Sequence, residues 1–181
     1  AVQTNTDTIL LKACQILIAV GTVPAPPPGV CVDGETIIDS DDILGLNSIP
    51  RTMAVIGAGV IGIEYASMFA ALGTEVTIID QRKRPLEFLD HEIVDELIHQ
   101  MRNHNIIFRL SETVERLEVS AKQPKQVRIQ LQSGKRYVSE LALFSIGRIG
   151  ATTELRLETI SLETDDRGRL RVDEQFRTKI P

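Results

Sequence analysis

At 181 residues the chain has room for one domain with a sizeable core, or for one domain with flanking pieces. Hydrophobic residues make up 43% and charged residues 25%, an ordinary balance for a globular protein, and the net charge of −5 offers no general attraction to nucleic acid or an acidic membrane. No apolar stretch reaches the length of a membrane span, and the polar start (A-V-Q-T-N-T-D-T) does not read as a signal peptide.

In chain order, residues 15–20 (Q-I-L-I-A-V) form the first buried-strand candidate, closed by Gly21 and Thr22. Pro24, Pro26, Pro27 and Pro28 fix φ and remove donors, which predicts a stiff connector. Residues 39–42 (D-S-D-D) offer capping side chains to a short helical turn over 43–46. Cys14 and Cys31 lie in different segments, with neither C-x-x-C nor zinc spacing. They predict two reduced, structural thiols in a cytoplasmic protein.

Residues 53–66 (M-A-V-I-G-A-G-V-I-G-I-E-Y-A) organise the rest. The apolar run 53–56 predicts a strand buried on both faces, and a helical pattern runs on to Leu72 and Gly73. Between them Gly57, Gly59 and Gly62 stand at G-x-G-x-x-G spacing. Gly57 permits a tight turn, Gly59 lets a pyrophosphate approach the backbone, and Gly62 lets the helix pack closely. A second β-like run, 75–79, ends in Asp80, where a carboxylate can accept hydrogen bonds from an adenosine ribose. The context makes this a dinucleotide site rather than a chance cluster of glycines.

The basic loop Gln81, Arg82, Lys83, Arg84, Pro85 follows. A second helix starts near Asp90 with Ile93, Val94, Leu97, Ile98 and Met101 on its apolar face and His91, Glu92, Asp95 and Glu96 on its wet side. Residues 106–108 predict a third short strand. Val127, Ile129 and Leu131 then alternate, Ser133 and Gly134 turn the chain, and Tyr137 and Val138 return it as part of an antiparallel meander. Residues 141–146 predict another buried strand running into Gly147, 155–162 are irregular, and 170–176 read as one more strand. His91, His99 and His104 have no metal-binding pattern, and no residue has the setting of a nucleophile or acid–base pair. No catalytic residue and no metal ligand is therefore assigned.

Four stretches make the sequence recognisable: I-L-I-A-V-G-T-V-P (16–24), V-I-G-A-G-V-I-G-I-E-Y-A-S-M-F (55–69), P-L-E-F-L-D (85–90) and S-I-G-R (145–148). They resemble the flavoprotein pyridine nucleotide–disulfide oxidoreductase family, and within it most closely the soluble transhydrogenases. The closing residues 168–181 resemble the segment before that family's second flavin motif. The resemblance implies an α/β fold: a Rossmann-type parallel sheet with helices on both faces and a three-stranded antiparallel meander. It further implies a middle section of a longer enzyme. Residues 1–38 would be a flanking piece of the FAD domain with a connector, 39–152 the NAD(P)-binding domain, and 153–181 the return to the FAD domain. The family's own FAD glycine motif and flavin-facing cysteine stretch are not found here, so this chain alone is expected to bind no FAD and to be inactive.

By the same resemblance, Gly57, Ala58, Gly59, Val60, Ile61, Gly62 and the residues to Glu64 would wrap the pyrophosphate and nicotinamide ribose. Asp80 would meet the adenosine ribose, Val114 the adenine through its backbone, and Gly147 the nicotinamide end. Glu64 would lie toward the flavin, its alternative being an ordinary helix-surface carboxylate. The implied reaction is hydride exchange between NADP(H) and NAD(H) by way of FAD, in a cytoplasmic homo-oligomer with no nucleic-acid or membrane partner. Asp80 favours the 2′-hydroxyl of NAD, whereas Arg82, Lys83 and Arg84, after Gln81, could pair with the 2′-phosphate of NADP or simply form a solvated loop, Arg84 beside Pro85 being expected to point away. Two other readings stay open: the NAD domain of a lipoamide dehydrogenase-like oxidoreductase, and a non-enzymatic nucleotide-sensing module.

Overall fold

A computed structural model describes residues 2–3, 6–120 and 125–180; residues 1, 4 and 5 of the polar start lie outside them. The chain divides into two compact units, Val23–Ile149 and the two end segments Ala1–Thr22 with Gly150–Pro181. In chain order the early strands are β1 (Val2–Gln3), β2 (Thr8–Ile9), β3 (Thr22–Pro24) and β4 (Ile37–Asp39). After a 3-10 turn at Asp42–Gly45 come β5 (Thr52–Ile56), α1 (Val60–Ala71), β6 (Glu75–Asp80), α2 (His91–Asn103) and β7 (Ile107–Leu110). The remaining strands are β8 (Val114–Val119), β9 (Val127–Leu131), β10 (Arg136–Ser139), β11 (Leu141–Phe144) and β12 (Arg148–Gly150).

The larger unit is built on a five-stranded sheet in the order β4-β11-β5-β6-β7. Every neighbouring pair is parallel. Its central strands β5 and β11 are almost wholly apolar because both faces are covered. Met53, Val55, Val76, Ile78, Leu141 and Leu143 face Ile63 and Ala66 of α1 and Val94, Ile98 and Met101 of α2. Ala54, Ile56, Ile79, Ala142 and Phe144 face the opposite way, against Val127, Ile129 and Leu131 of β9. The expected parallel α/β sheet and three-stranded meander (order β10-β9-β8) are both present. The helices expected on both faces are instead on one, and the meander takes the other. The Thr77 hydroxyl donates to the Tyr137 hydroxyl at 2.9 Å and ties sheet to meander.

The two helices start differently. Asp90 caps α2, its side chain accepting from the Glu92 N–H at 2.9 Å. Gly59 caps α1 with no side chain to offer. Ile93, expected on the buried face of α2, is 65% exposed; the residues that pack are Val94, Ile98 and Met101, with Leu97 partly buried beside them. The first strand of the meander, β8, is the element whose limits the sequence left unread. Its burial alternates only weakly and a bulge interrupts it between Val114 and Arg116.

The smaller unit corrects two expected strands. Residues 15–20 form no strand, and Ile16 and Leu17 are 83% and 90% exposed. Among the described residues no strand pairs with them, and an unpaired apolar run has neither the hydrogen bonds nor the burial that make a strand. Residues 170–176 form no strand beyond an isolated bridge between Thr164 and Leu170. Asp173 bends them: its carboxylate accepts from the Gln175 and Arg177 N–H groups, and Phe176 takes a positive φ of 60°. Cys14 and Cys31 are free, as expected of reduced thiols, but both are exposed rather than packed as structural ones. Among the described residues no helix is long and apolar enough to cross a membrane.

Candidate functional site

Parallel pairing brings the carboxyl ends of four strands side by side. Ile56 stands opposite Ile79 and Phe144, and Phe144 opposite Asp39. The loop after β5 therefore opens between the ends of β6 and β11. Gly57 leaves the strand with φ +110°, and a Cβ there would lie 2.5 Å from the Ser145 carbonyl oxygen. Only glycine fits both constraints. At Gly62 a Cβ would come 2.0 Å from the Gly57 carbonyl oxygen, so α1 starts in direct contact with the loop it leaves. Gly59 differs from both, with an ordinary φ of −81° and nothing within 4 Å of its added Cβ. Open space over Gly59, next to the uncapped first turn of α1, is the setting that fits a phosphate group on backbone N–H donors.

The loop is held by fixed partners. The Gly57 N–H donates to the Ile79 carbonyl at 2.9 Å, and the Leu86 N–H to the Ala58 carbonyl at 3.3 Å. The Ser145 hydroxyl donates to the Gly57 carbonyl at 2.9 Å, with that of Ile56 at 3.2 Å. Ser145 is the positioning residue that sequence reasoning passed over. Its only signal in the sequence is its place in S-I-G-R, directly after the apolar run 141–144.

Asp80 is the most heavily engaged polar group of the site, 6% exposed at the end of β6. One carboxylate oxygen accepts from the Ala58 N–H at 2.5 Å and the Arg82 Nη2 at 2.6 Å. The other accepts from the Arg82 backbone N–H at 2.8 Å and its Nε at 2.9 Å. Burial pushes the carboxyl pKa up, but the hydrogen bonds from Arg82 and Ala58 and the Arg82 charge outweigh it and hold it below the ordinary value. The Arg82 guanidinium is raised in turn, chiefly by its bond to Asp80.

The other residues singled out by sequence scatter around this node. Gln81 and Lys83 are exposed, and Arg84 is turned to α2, its Nη1 2.5 Å from Asp95. Val114 is half-buried at the start of β8, two residues past Glu112, whose N–H donates to the Asp80 carbonyl at 3.0 Å. Gly147 is exposed with φ +121°, and its carbonyl accepts from the Ala25 N–H. Val60 and Ile61 form the first turn of α1, and Glu64 is exposed one turn on. Arg148, absent from the expected set, joins the end of β11 to the end of β4 through Asp41 at 2.6 Å and Ser40 at 3.1 Å. Among the described residues no group of three or more His, Cys, Asp or Glu is arranged to hold a metal ion.

The family model described as pyridine nucleotide-disulphide oxidoreductase matches residues 2–181. The chain belongs to this family. It is 47% identical over 165 residues, 91% of its length, to the soluble pyridine nucleotide transhydrogenase of Mycobacterium tuberculosis (strain ATCC 25177 / H37Ra), and covers 35% of that protein. Over 171 residues it is 44% identical to the soluble pyridine nucleotide transhydrogenase of Chromohalobacter salexigens, covering 94% of this chain and 36% of the relative. The chain thus spans about a third of the length of these relatives. Among solved structures, the HOCl-induced flavoprotein disulfide reductase RclA from Escherichia coli superposes with a TM-score of 0.79 at 29% identity, over 89% of this chain and 36% of RclA. LpdA from Mycobacterium tuberculosis has the same TM-score at 23% identity and shares the fold. Oxidoreductase chemistry with flavin and nicotinamide cofactors is a property of this family rather than of any one residue described above.

Proposed function

We propose that residues 39–152 are the NAD(P)(H)-binding domain of a cytoplasmic soluble pyridine nucleotide transhydrogenase, with 1–38 and 153–181 belonging to the flavin-binding part of a longer, homo-oligomeric enzyme. The observation that carries the reading is the contrast among three glycines: two are filled by their own protein and the third, Gly59, faces open space beside an uncapped helix start. The relatives at 44–47% identity support transhydrogenase over a disulfide reductase of the RclA kind at 29%.

The residues divide the task of holding a nucleotide. The backbone from Gly59 to Gly62 offers N–H groups to the pyrophosphate. Asp80 stands at the adenosine ribose with Gln81, Arg82 and Lys83 on its outer side, and Val114 presents backbone to the adenine. Gly147 keeps the backbone low at the nicotinamide end, and Glu64 lies toward the flavin. When bound, the nicotinamide supplies the hydride chemistry; the protein positions it and sets which nucleotide is preferred. The flavin is assigned, as part of the same proposal, to the remainder of the longer enzyme.

Calorimetric titration with NADH and NADPH tests the reading, together with gel filtration after incubation with FAD. The expected result is saturable one-site binding of both nucleotides, no retained yellow chromophore, and no hydride exchange by this chain alone. Absence of nucleotide binding would overturn the proposal, and stoichiometric flavin retention would overturn the division of labour.

A further inference from the structure

The Asp80 carboxylate has no acceptor capacity left for a ribose. A carboxylate offers about four acceptor positions. Four donors occupy them: the N–H groups of Ala58 and Arg82 from the backbone, and Nε and Nη2 from the Arg82 side chain. The two backbone donors belong to the folded loop and stay. The guanidinium is the removable pair, and its departure frees one position on each oxygen. Two freed positions match the two donors of a ribose 2′,3′-diol.

Arg82 is not itself saturated. A guanidinium carries five N–H groups, and its bonds to Asp80 use two of them. Its side chain is 36% exposed while that of Asp80 is 4% exposed, so solvent or a ligand reaches the guanidinium but not the carboxylate beneath it. Arg84 is turned to α2, where it pairs with Asp95.

We propose that Arg82 is a clasp on Asp80 whose two positions set the choice between NADP(H) and NAD(H). Closed, the clasp neutralises the carboxylate and offers three remaining donors to a 2′-phosphate, a geometry suited to a planar fork. Open, it uncovers Asp80 for the free 2′- and 3′-hydroxyls of NAD(H), with Glu87, whose charge also acts on Arg82, available to receive it. The resting protein is therefore set for the phosphorylated nucleotide. NAD(H) binds only after breaking an ion pair, and its affinity is reduced by the fraction of protein in which the clasp is closed. Asp80 itself cannot be used to test this, because its carboxylate also holds Ala58 and its removal loosens the loop for both nucleotides. The inference rests on the nucleotide-binding function proposed above.

The test is titration of wild-type, Arg82→Ala and Arg82→Gln proteins with NADH and NADPH at fixed ionic strength, with melting temperatures as a folding control. The glutamine variant keeps the apolar stem but cannot cover both oxygens, and serves if the alanine variant folds poorly. Opposite signs are expected: NADH binds about three- to tenfold more tightly, NADPH at least about tenfold more weakly. Unchanged or weakened NADH binding in variants that melt normally would overturn the clasp while leaving nucleotide binding intact. A wild-type protein that binds neither nucleotide overturns the functional reading and the clasp with it.

Discussion

Residues 53–56 (M-A-V-I) and 15–20 (Q-I-L-I-A-V) have much the same apolar composition and opposite fates. The first is the middle of a five-stranded sheet, with Met53, Ala54 and Val55 fully buried between two helices and a meander. The second is irregular, with Ile16 and Leu17 almost wholly exposed. The difference lies in the neighbours. Parallel strands on both sides satisfy the backbone of 53–56, while among the described residues no strand pairs with 15–20. An apolar run states that a segment can be buried; the rest of the fold decides whether it is.

The strongest test of that contrast is a pair of truncations. Leu143→Ala, beside Val55 in the sheet and fully buried, should cost about 2–5 kcal/mol in urea unfolding, the range for a buried leucine. Leu17→Ala should stay within about 0.5 kcal/mol of the parent, as exposed positions do. Comparable losses at both sites would mean that 15–20 packs in solution.

A smaller contrast exists within the glycine loop. Gly62→Ala forces a Cβ to 2.0 Å from a backbone oxygen and should destabilise by about 1–3 kcal/mol, the usual cost of overpacking. Gly59→Val meets open space in an ordinary backbone conformation and costs only the poorer N-cap, which should lower the melting temperature by at most about 2–4 °C. If the two variants melted alike, the distinction between structural and ligand-facing glycines would fail.

The smallest effect concerns the polar node. Asp80 has its pKa lowered in the folded protein, so its ionised form stabilises the fold above the unfolded value of about 3.9 and that contribution is lost as pH falls through the folded value. Asp80→Asn should therefore lower stability by about 1–2 kcal/mol at pH 7, and the gap from wild type should close as pH falls below the ordinary carboxylate range. A gap that persists unchanged in acid would assign the loss to packing instead of charge.

Much of this was legible in advance because local chemistry marked it. The glycine spacing, the apolar runs around it and the Asp90 cap delimited β5, α1, β6 and α2 nearly to the residue. The faces used by the helices were not legible, since a strand apolar on both sides does not say which partner covers which. The turn at Asp173 was masked by alternating apolar residues, although its carboxylate overrides them through two backbone bonds. At the site, the sequence marked Asp80 and Arg82 as opposed influences on nucleotide choice. Only the structure shows them bonded to each other, since a spacing of two residues carries no sign of a shared hydrogen-bond pair.

The central claim, that the open space over Gly59 receives the pyrophosphate of a nicotinamide dinucleotide, is tested most directly by calorimetric titration of NADH into wild-type and Gly59→Val proteins. The account predicts saturable binding to the wild type and at least about tenfold weaker binding to the variant, with folding unchanged, because the added methyls occupy the ligand's place. Equal affinity in the two proteins would contradict it and put the nucleotide elsewhere.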